Sequence, residues 1–398
     1  MASSLSAAAQ PCCFLETGSF LSRSGKSEAR RGNLFPAHVS AGLGAFGSVI
    51  SAEGQPFIRL REGREARLWR SSRRVIRVVA QVGSAPAKTA TPAESDRWWS
   101  SDTIAVVTGG SKSSIGLEIV RKLSKEGVKI IFTSRSDKTG REALEKLRSE
   151  GVDSVEFHEL DITNQQSIDD FASWLQQKHG GLDILVNNAG VMVISAIGQP
   201  ASYDVVKLNF DVNYYGTKRL TEKLLPLLRN NPAGARVVNV CSRMGALKNI
   251  GPKLQPRISD PDLTFEDLDA LVAKYLDDLK AGRPVDEGWN KSAYANSKVA
   301  EAAYTRILAR DIEAAAGGKP VLVNAVCPGF CRTDLGNPHP EKKGDFRTAL
   351  SLTFFRTARD IVAPKSAEEG ADTPAWVALA PPNSANGAFF SDREDVGY

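Results

Sequence analysis

From Trp98 onward, short apolar runs alternate with stretches whose apolar residues recur at helical spacing. Ile104–Val107 predicts a first strand and Ile115–Gly127 the helix after it. Lys129–Thr133 predicts a second strand, followed by a charged helix over Thr139–Gly151. A third pair follows, with a strand at Val155–Leu160 and a helix at Ser167–His179. Asp183–Val186, Arg236–Val240 and Val321–Val326 predict three further strands, and a long helix runs from Ala293 to about Ala316. This alternating order predicts an α/β domain over residues 98–398, built on one doubly wound parallel sheet with helices on both faces. Ligands bind such sheets beyond the carboxyl ends of the strands.

Upstream, the pattern stops. Residues 1–80 carry no sustained strand or helix period and hold 12 basic residues, 11 of them Arg, against 5 acidic ones. An Arg- and Ser-rich, acid-poor N-terminus predicts an organelle transit peptide, with cleavage near Ala80. The MASS start and the length favour the chloroplast. Residues 81–97, rich in Pro, Ala and Thr, predict a linker. The net charge of +5 therefore belongs to the leader, because residues 81–398 hold 39 basic and 41 acidic side chains. That balance gives no reason to expect a nucleic-acid partner. No apolar run reaches 18 residues, which argues against a membrane-spanning helix. Three cysteines beyond the leader (Cys241, Cys327, Cys331), four scattered histidines and no Cys-x-x-Cys pair argue against disulfides and against a metal site.

The candidate chemistry sits at the predicted strand ends. Strand one runs into Thr108-Gly109-Gly110-Ser111-Lys112-Ser113-Ser114-Ile115-Gly116, then a helix. Such a turn brings backbone N–H groups and a helix N-terminus to a pyrophosphate. Strand two ends at Arg135, 19 residues after Gly116. An acidic residue there would accept the ribose 2′-hydroxyl of NAD, whereas Arg suits the 2′-phosphate of NADP, with Lys112 as a second charge. Asp161 and Ile162 end strand three, where Asp161 can meet an adenine amino group or simply close a turn. Strand four ends in Asn187-Asn188-Ala189-Gly190, small enough for a cofactor to approach the backbone. Ser242 follows the fifth strand, and Tyr294 and Lys298 lie four apart on one helix face. A free phenol, with a pKa of about 10, is a poor proton donor near neutrality. A nearby ammonium and an oxidised nicotinamide would lower that value. Each motif alone also fits an ordinary loop or surface helix; together they fit a reductase site.

TGGSKSSIG, NNAG, NVCS, YANSK and Cys327-Pro328-Gly329 together resemble the short-chain dehydrogenase/reductase family over residues 103–398. The resemblance implies a Rossmann-type sheet and NADPH/NADP+ as cofactor. It implies that Tyr294 protonates a carbonyl oxygen, that Lys298 holds the ribose and that Ser242 bonds the same oxygen. Asn213 would position a relay water, and Pro328, Gly329 and Thr333 would close on the nicotinamide. Ser242 and Tyr294 are 52 residues apart. The intervening insertion, about 247–287, resembles that of the monomeric carbonyl reductases, including plant menthone and salutaridine reductases, and implies a monomer. Two features depart from the pattern. The Gly-rich turn has five residues between Gly109 and Ile115 where the family has four, with Ser114 in place of a glycine. A second extra stretch, about 337–364, has helical period and reads as a substrate lid. Met192, Met244, Trp289 and Phe330 adjoin the strand ends and read as an apolar pocket for a small carbonyl compound. The competing readings are a protochlorophyllide-type plastid reductase and a non-catalytic NADPH-sensing scaffold.

Overall fold

The computed structural model describes residues 97–111, 114–193, 202–283, 288–315, 320–333 and 364–398. The leader, the linker up to residue 96, Lys112 and nearly all of the 337–364 stretch lie outside the described residues.

Six strands follow the predicted order: β1 (Ile104–Val107), β2 (Lys129–Ser134), β3 (Val155–Glu159), β4 (Ile184–Asn187), β5 (Ala235–Val240) and β6 (Val321–Cys327). β7 (Phe389–Ser391) and β8 (Glu394–Asp395) complete an eight-stranded sheet in the order β3-β2-β1-β4-β5-β6-β7-β8. All neighbours are parallel except β7 and β8, which pair antiparallel at the edge. Chain order reverses between β1 and β4, which opens a crevice at their carboxyl ends.

β1, β4 and β5 are buried throughout, so their side chains face helices on both sides. One face is covered by α1 (Ile115–Lys125) and α2 (Asp137–Ser149). The other is covered by α3 (Gln165–His179), α4 (Tyr203–Phe210), α5 (Thr217–Leu224) and the 22-residue α6 (Ala293–Ala314). Between α4 and α5 the chain widens into a π-helical turn, Asp211–Gly216. Such turns are uncommon and recur at functional sites. The predicted insertion forms a well-capped helix, Phe265–Lys280, with a Thr264–Asp267 capping box. It packs onto α6, where the Phe265 and Tyr304 rings lie 5.4 Å apart.

A buried polar chain fixes α6 to the sheet. Asn187 on β4 donates to Asn239 on β5 (2.8 Å), and Asn239 donates to Thr305 on α6 (2.8 Å). Each link satisfies a group that would otherwise be costly to bury. No helix among the described residues is long and apolar enough to cross a membrane.

Candidate active site

The glycine turn and the β4 end interlock. Gly109 has φ +75°, and a Cβ added there would stand 2.8 Å from the Ala189 Cα. Asn188 donates to the carbonyls of Thr108 (2.8 Å) and Gly109 (3.3 Å), while the Thr108 hydroxyl accepts from the N–H of Asn188 and of Ala189. A Cβ on Gly116 would stand 2.5 Å from Asn188 Nδ2. Gly109, Gly116 and the Asn188-Ala189-Gly190 segment are therefore one packed unit, and these residues form a cradle in which a dinucleotide can lie against bare backbone. Gly109→Ala is expected to weaken dinucleotide binding about tenfold or more. Positive φ costs a non-glycine residue on the order of 1 kcal/mol, and the clash is with backbone. A fluorescence titration with the cofactor checks this, and an unchanged dissociation constant would contradict it.

Ser114, standing where the family pattern has glycine, has φ −101° and ψ 156°, a conformation any residue adopts. Its hydroxyl accepts from Leu117 N as the N-cap of α1 and donates to the Ser111 carbonyl (2.6 Å). The longer turn thus turns a glycine position into a helix cap.

Arg135 is exposed just beyond β2, and among the described residues no carboxylate pairs with it. Its guanidinium is open to an anionic group from solvent. Asp161 is committed to its own turn, accepting from Thr163 N (2.8 Å) and Thr163 Oγ1 (2.7 Å). Ile162 is buried and lies under Gly216 of the π-helical turn.

Ser242, Tyr294 and Lys298 converge where β5 meets α6. The Tyr294 hydroxyl lies beside the Ser242 side chain and in the field of Lys298. Asn213 is fully buried and bonds on three sides. Its Oδ1 accepts from Val191 N (2.8 Å), and its Nδ2 donates to the Val191 carbonyl and the Ser297 hydroxyl (both 2.9 Å). Ser297 in turn donates to the Tyr294 carbonyl (2.8 Å). The π-helical turn, the β4 loop and the first turn of α6 are thereby locked together behind the phenol. A Cβ on Gly190 would stand 3.2 Å from Asn213 Oδ1 and 3.7 Å from Lys298 Nζ, so Gly190 lies beside both.

Sequence reasoning did not foresee the partner of Lys298. Its ammonium donates to the Val240 carbonyl (3.0 Å) and to Glu301 Oε2 (2.6 Å), with both side chains almost wholly buried. Burial works against the ammonium, but Glu301, then Tyr294 and Cys241, outweigh it and hold Lys298 above its ordinary value. Burial pushes the Tyr294 phenol up to about 12; Lys298 and Ser242 pull it down, while Cys241 and Glu301 push it further up. Lys298 pulls the phenol in the expected direction but does not by itself bring it below its ordinary value. Desolvation, reinforced by the Glu301 charge, outweighs the ammonium.

Met192, Met244 and Phe330 are half-buried in the segments that follow β4, β5 and β6, while Trp289 is placed in the core, with its ring centroid 4.7 Å from that of Tyr275 and 6.4 Å from that of Phe210. Pro328, Gly329 and Thr333 follow β6 beside the crevice, and Gly329 has φ +84°.

Residues 103–253 match the short chain dehydrogenase family. Carbonyl reductase (NADPH) 1 of Homo sapiens is 37% identical over 295 residues, covering 73% of this chain and 96% of that protein. The Mus musculus protein of the same name is 36% identical over 300 residues, covering 74% and 98%. Among solved structures, salutaridine reductase from Papaver somniferum is similar at a TM-score of 0.60 and 32% identity, covering 72% of this chain and 99% of that one. Menthone neomenthol reductase from Mentha piperita gives 0.57 and 29%, covering 73% and 99%.

Proposed function

The chain belongs to the short-chain dehydrogenase family, and from that premise we propose that it reduces small apolar aldehydes, ketones or quinones with NADPH, Tyr294 giving the proton. The observation that carries this reading is the convergence of Ser242, Tyr294 and Lys298 beside the Gly109–Gly190 cradle. Carbonyl reductases that are similar over nearly their whole length support it. The glycine turn fits the dinucleotide, because Gly109 and Gly116 pack directly on Asn188 and Ala189 and so hold side-chain-free backbone at the ends of β1 and β4.

When bound, NADPH supplies the hydride that reaches the carbonyl carbon. Ser242 donates a hydrogen bond to the carbonyl oxygen and aligns it with Tyr294. Tyr294 passes its proton to that oxygen, completing the alcohol. Lys298, charged and close, stabilises the phenolate left behind until solvent returns a proton. Asn213 holds the Val191 and Ser297 segments so that Tyr294 cannot swing out of line.

The apolar side chains that follow β4, β5 and β6, Met192, Met244 and Phe330, support uncharged carbonyl substrates. The helix laid over α6 by the insertion supports a monomer. The basic, acid-poor leader supports delivery to the chloroplast stroma as a processed protein beginning near residue 81.

A carbonyl panel run with NADPH and with NADH tests the reading. NADPH is expected to be strongly preferred. Arg135→Ala is expected to lower kcat/KM for NADPH by roughly tenfold or more, since a charge-assisted phosphate contact contributes on the order of 2 kcal/mol. NADH turnover should barely move. Equal rates with the two cofactors in the unmodified protein would overturn the Arg135 assignment, and cofactor binding without any turnover would favour a sensing scaffold.

A further inference from the structure

Glu301 stands one helical turn beyond Lys298 and two beyond Tyr294, so all three share one face of α6. Its carboxylate is 1% exposed, and its only ion-pair partner among the described residues is Lys298. Its second oxygen, Oε1, is buried with no hydrogen-bond partner among the described residues. A buried carboxylate in that state is costly, so its presence beside a catalytic ammonium calls for a role other than stability.

The surrounding groups leave that role to charge. On α6 the facing groups are Tyr294 and Lys298; from the end of β5 comes Cys241, whose thiol donates to the Lys298 carbonyl (3.2 Å). Behind Cys241 lie Cys327 at the end of β6 and the terminal Tyr398. Burial pushes the Cys241 thiol well above its ordinary value, so it is neutral over the working range. The net field on the phenol is therefore one ammonium set against one carboxylate.

We propose that Glu301 is a positioning residue that keeps both protons on the Tyr294–Lys298 pair, so that reduction runs further into alkaline pH than a lone ammonium would allow. The inference rests on the reductase reading given above. Its physical basis does not depend on which partner yields a proton first. A negative charge next to the pair disfavours losing a proton from either group, and the two titrate as one coupled unit. Reduction needs the phenol protonated and the ammonium charged, so the alkaline limb of the pH–rate profile reports that first loss.

Two measurements test it. In the first, the alkaline limb of kcat/KM for a carbonyl substrate is compared between the unmodified protein, Glu301→Gln and Glu301→Asp. Gln is expected to move the limb to lower pH by about one unit or more, an effect that the Coulomb field of a charge within one or two helical turns readily supplies. Asp keeps the charge and should lie nearer the unmodified protein. The second uses no cofactor: tyrosine ring NMR follows the Tyr294 resonance, assigned by its loss in Tyr294→Phe, through the same pH range. The Gln variant should titrate earlier. Should Gln not fold, Glu301→Met removes the same charge at similar volume. An unmoved limb and an unmoved titration, with turnover intact, would overturn the role of Glu301 alone. An unmodified protein that reduces nothing while the NMR shift appears would overturn the reductase reading and keep the charge relation.

Discussion

Tyr294→Phe is expected to lower kcat by about 100- to 10,000-fold, the range that a positioned general acid contributes. Cofactor affinity is expected to stay within about threefold. The substitution removes a single oxygen and leaves what holds the helix in place. Lys298 remains bonded to Val240 and Glu301. The Asn213–Ser297 link attaches to the Tyr294 backbone carbonyl and not to the phenol. Ser242 keeps its contact with the Met244 N–H (3.2 Å). The carbonyl oxygen would then meet one hydrogen-bond donor and no proton source. Single-turnover kinetics with a fluorescence titration of NADPH separate the two effects. If the Phe variant keeps more than about a tenth of the turnover, another group supplies the proton and the assignment of Tyr294 fails.

The candidate site is legible in the sequence because its carriers are local. A glycine turn between a strand and a helix, and Tyr and Lys four apart on one helix, fix their own geometry. Six strands were legible for the same reason, each a run of apolar residues bounded by turns. What escaped depends on tertiary partners. Tyr203–Gly216 mixes Val205, Val206 and Val212 with Asn209 and Asn213, residues of middling helix propensity. It becomes helical because Phe210 and Tyr214 are drawn into the core. Phe389–Ser391 is too short to announce a strand, yet β6 offers it an open edge. There the Asn324 side chain grips the flanking chain, donating to the Ala385 carbonyl and accepting from the Ala388 N–H. Glu301 reads in sequence as half of a surface Lys–Glu pair, the usual fate of such residues. It is buried because α6 is enclosed by the sheet on one side and by the insertion helix on another, so the polar-outward rule fails along most of its length. Ser114 is the opposite case: in sequence it only departs from the family's glycine, and its backbone conformation makes it a helix cap.

Lys298→Met is expected to cost about 3–5 kcal/mol of folding stability well above neutral pH, as removal of one partner from a buried ion pair does. The loss comes from what is left behind. Glu301 would remain 1% exposed with Oε2 deprived of its donor and Oε1 already without one. Adding Glu301→Leu should recover most of the loss, because an apolar pair leaves no charge to desolvate, and the double variant is expected within about 1.5 kcal/mol of the unmodified protein. Urea unfolding of the four proteins gives the coupling directly. The pH dependence has a definite sign. Burial pushes the Glu301 carboxyl above the usual carboxylate range even with Lys298 opposing, so without Lys298 the folded state would hold that proton still more firmly than the unfolded chain. The Lys298→Met penalty should therefore be small in acid, where the carboxyl is protonated in both states. It should change little through the ordinary carboxylate range, where both folded proteins keep the proton, and grow as pH rises past about 7, where the unmodified protein yields it and the variant still holds it. A Lys298→Met protein equally destabilised at every pH, and not rescued by Glu301→Leu, would mean that the ammonium contributes packing and no charge. The same charge could then not govern the phenol one turn away.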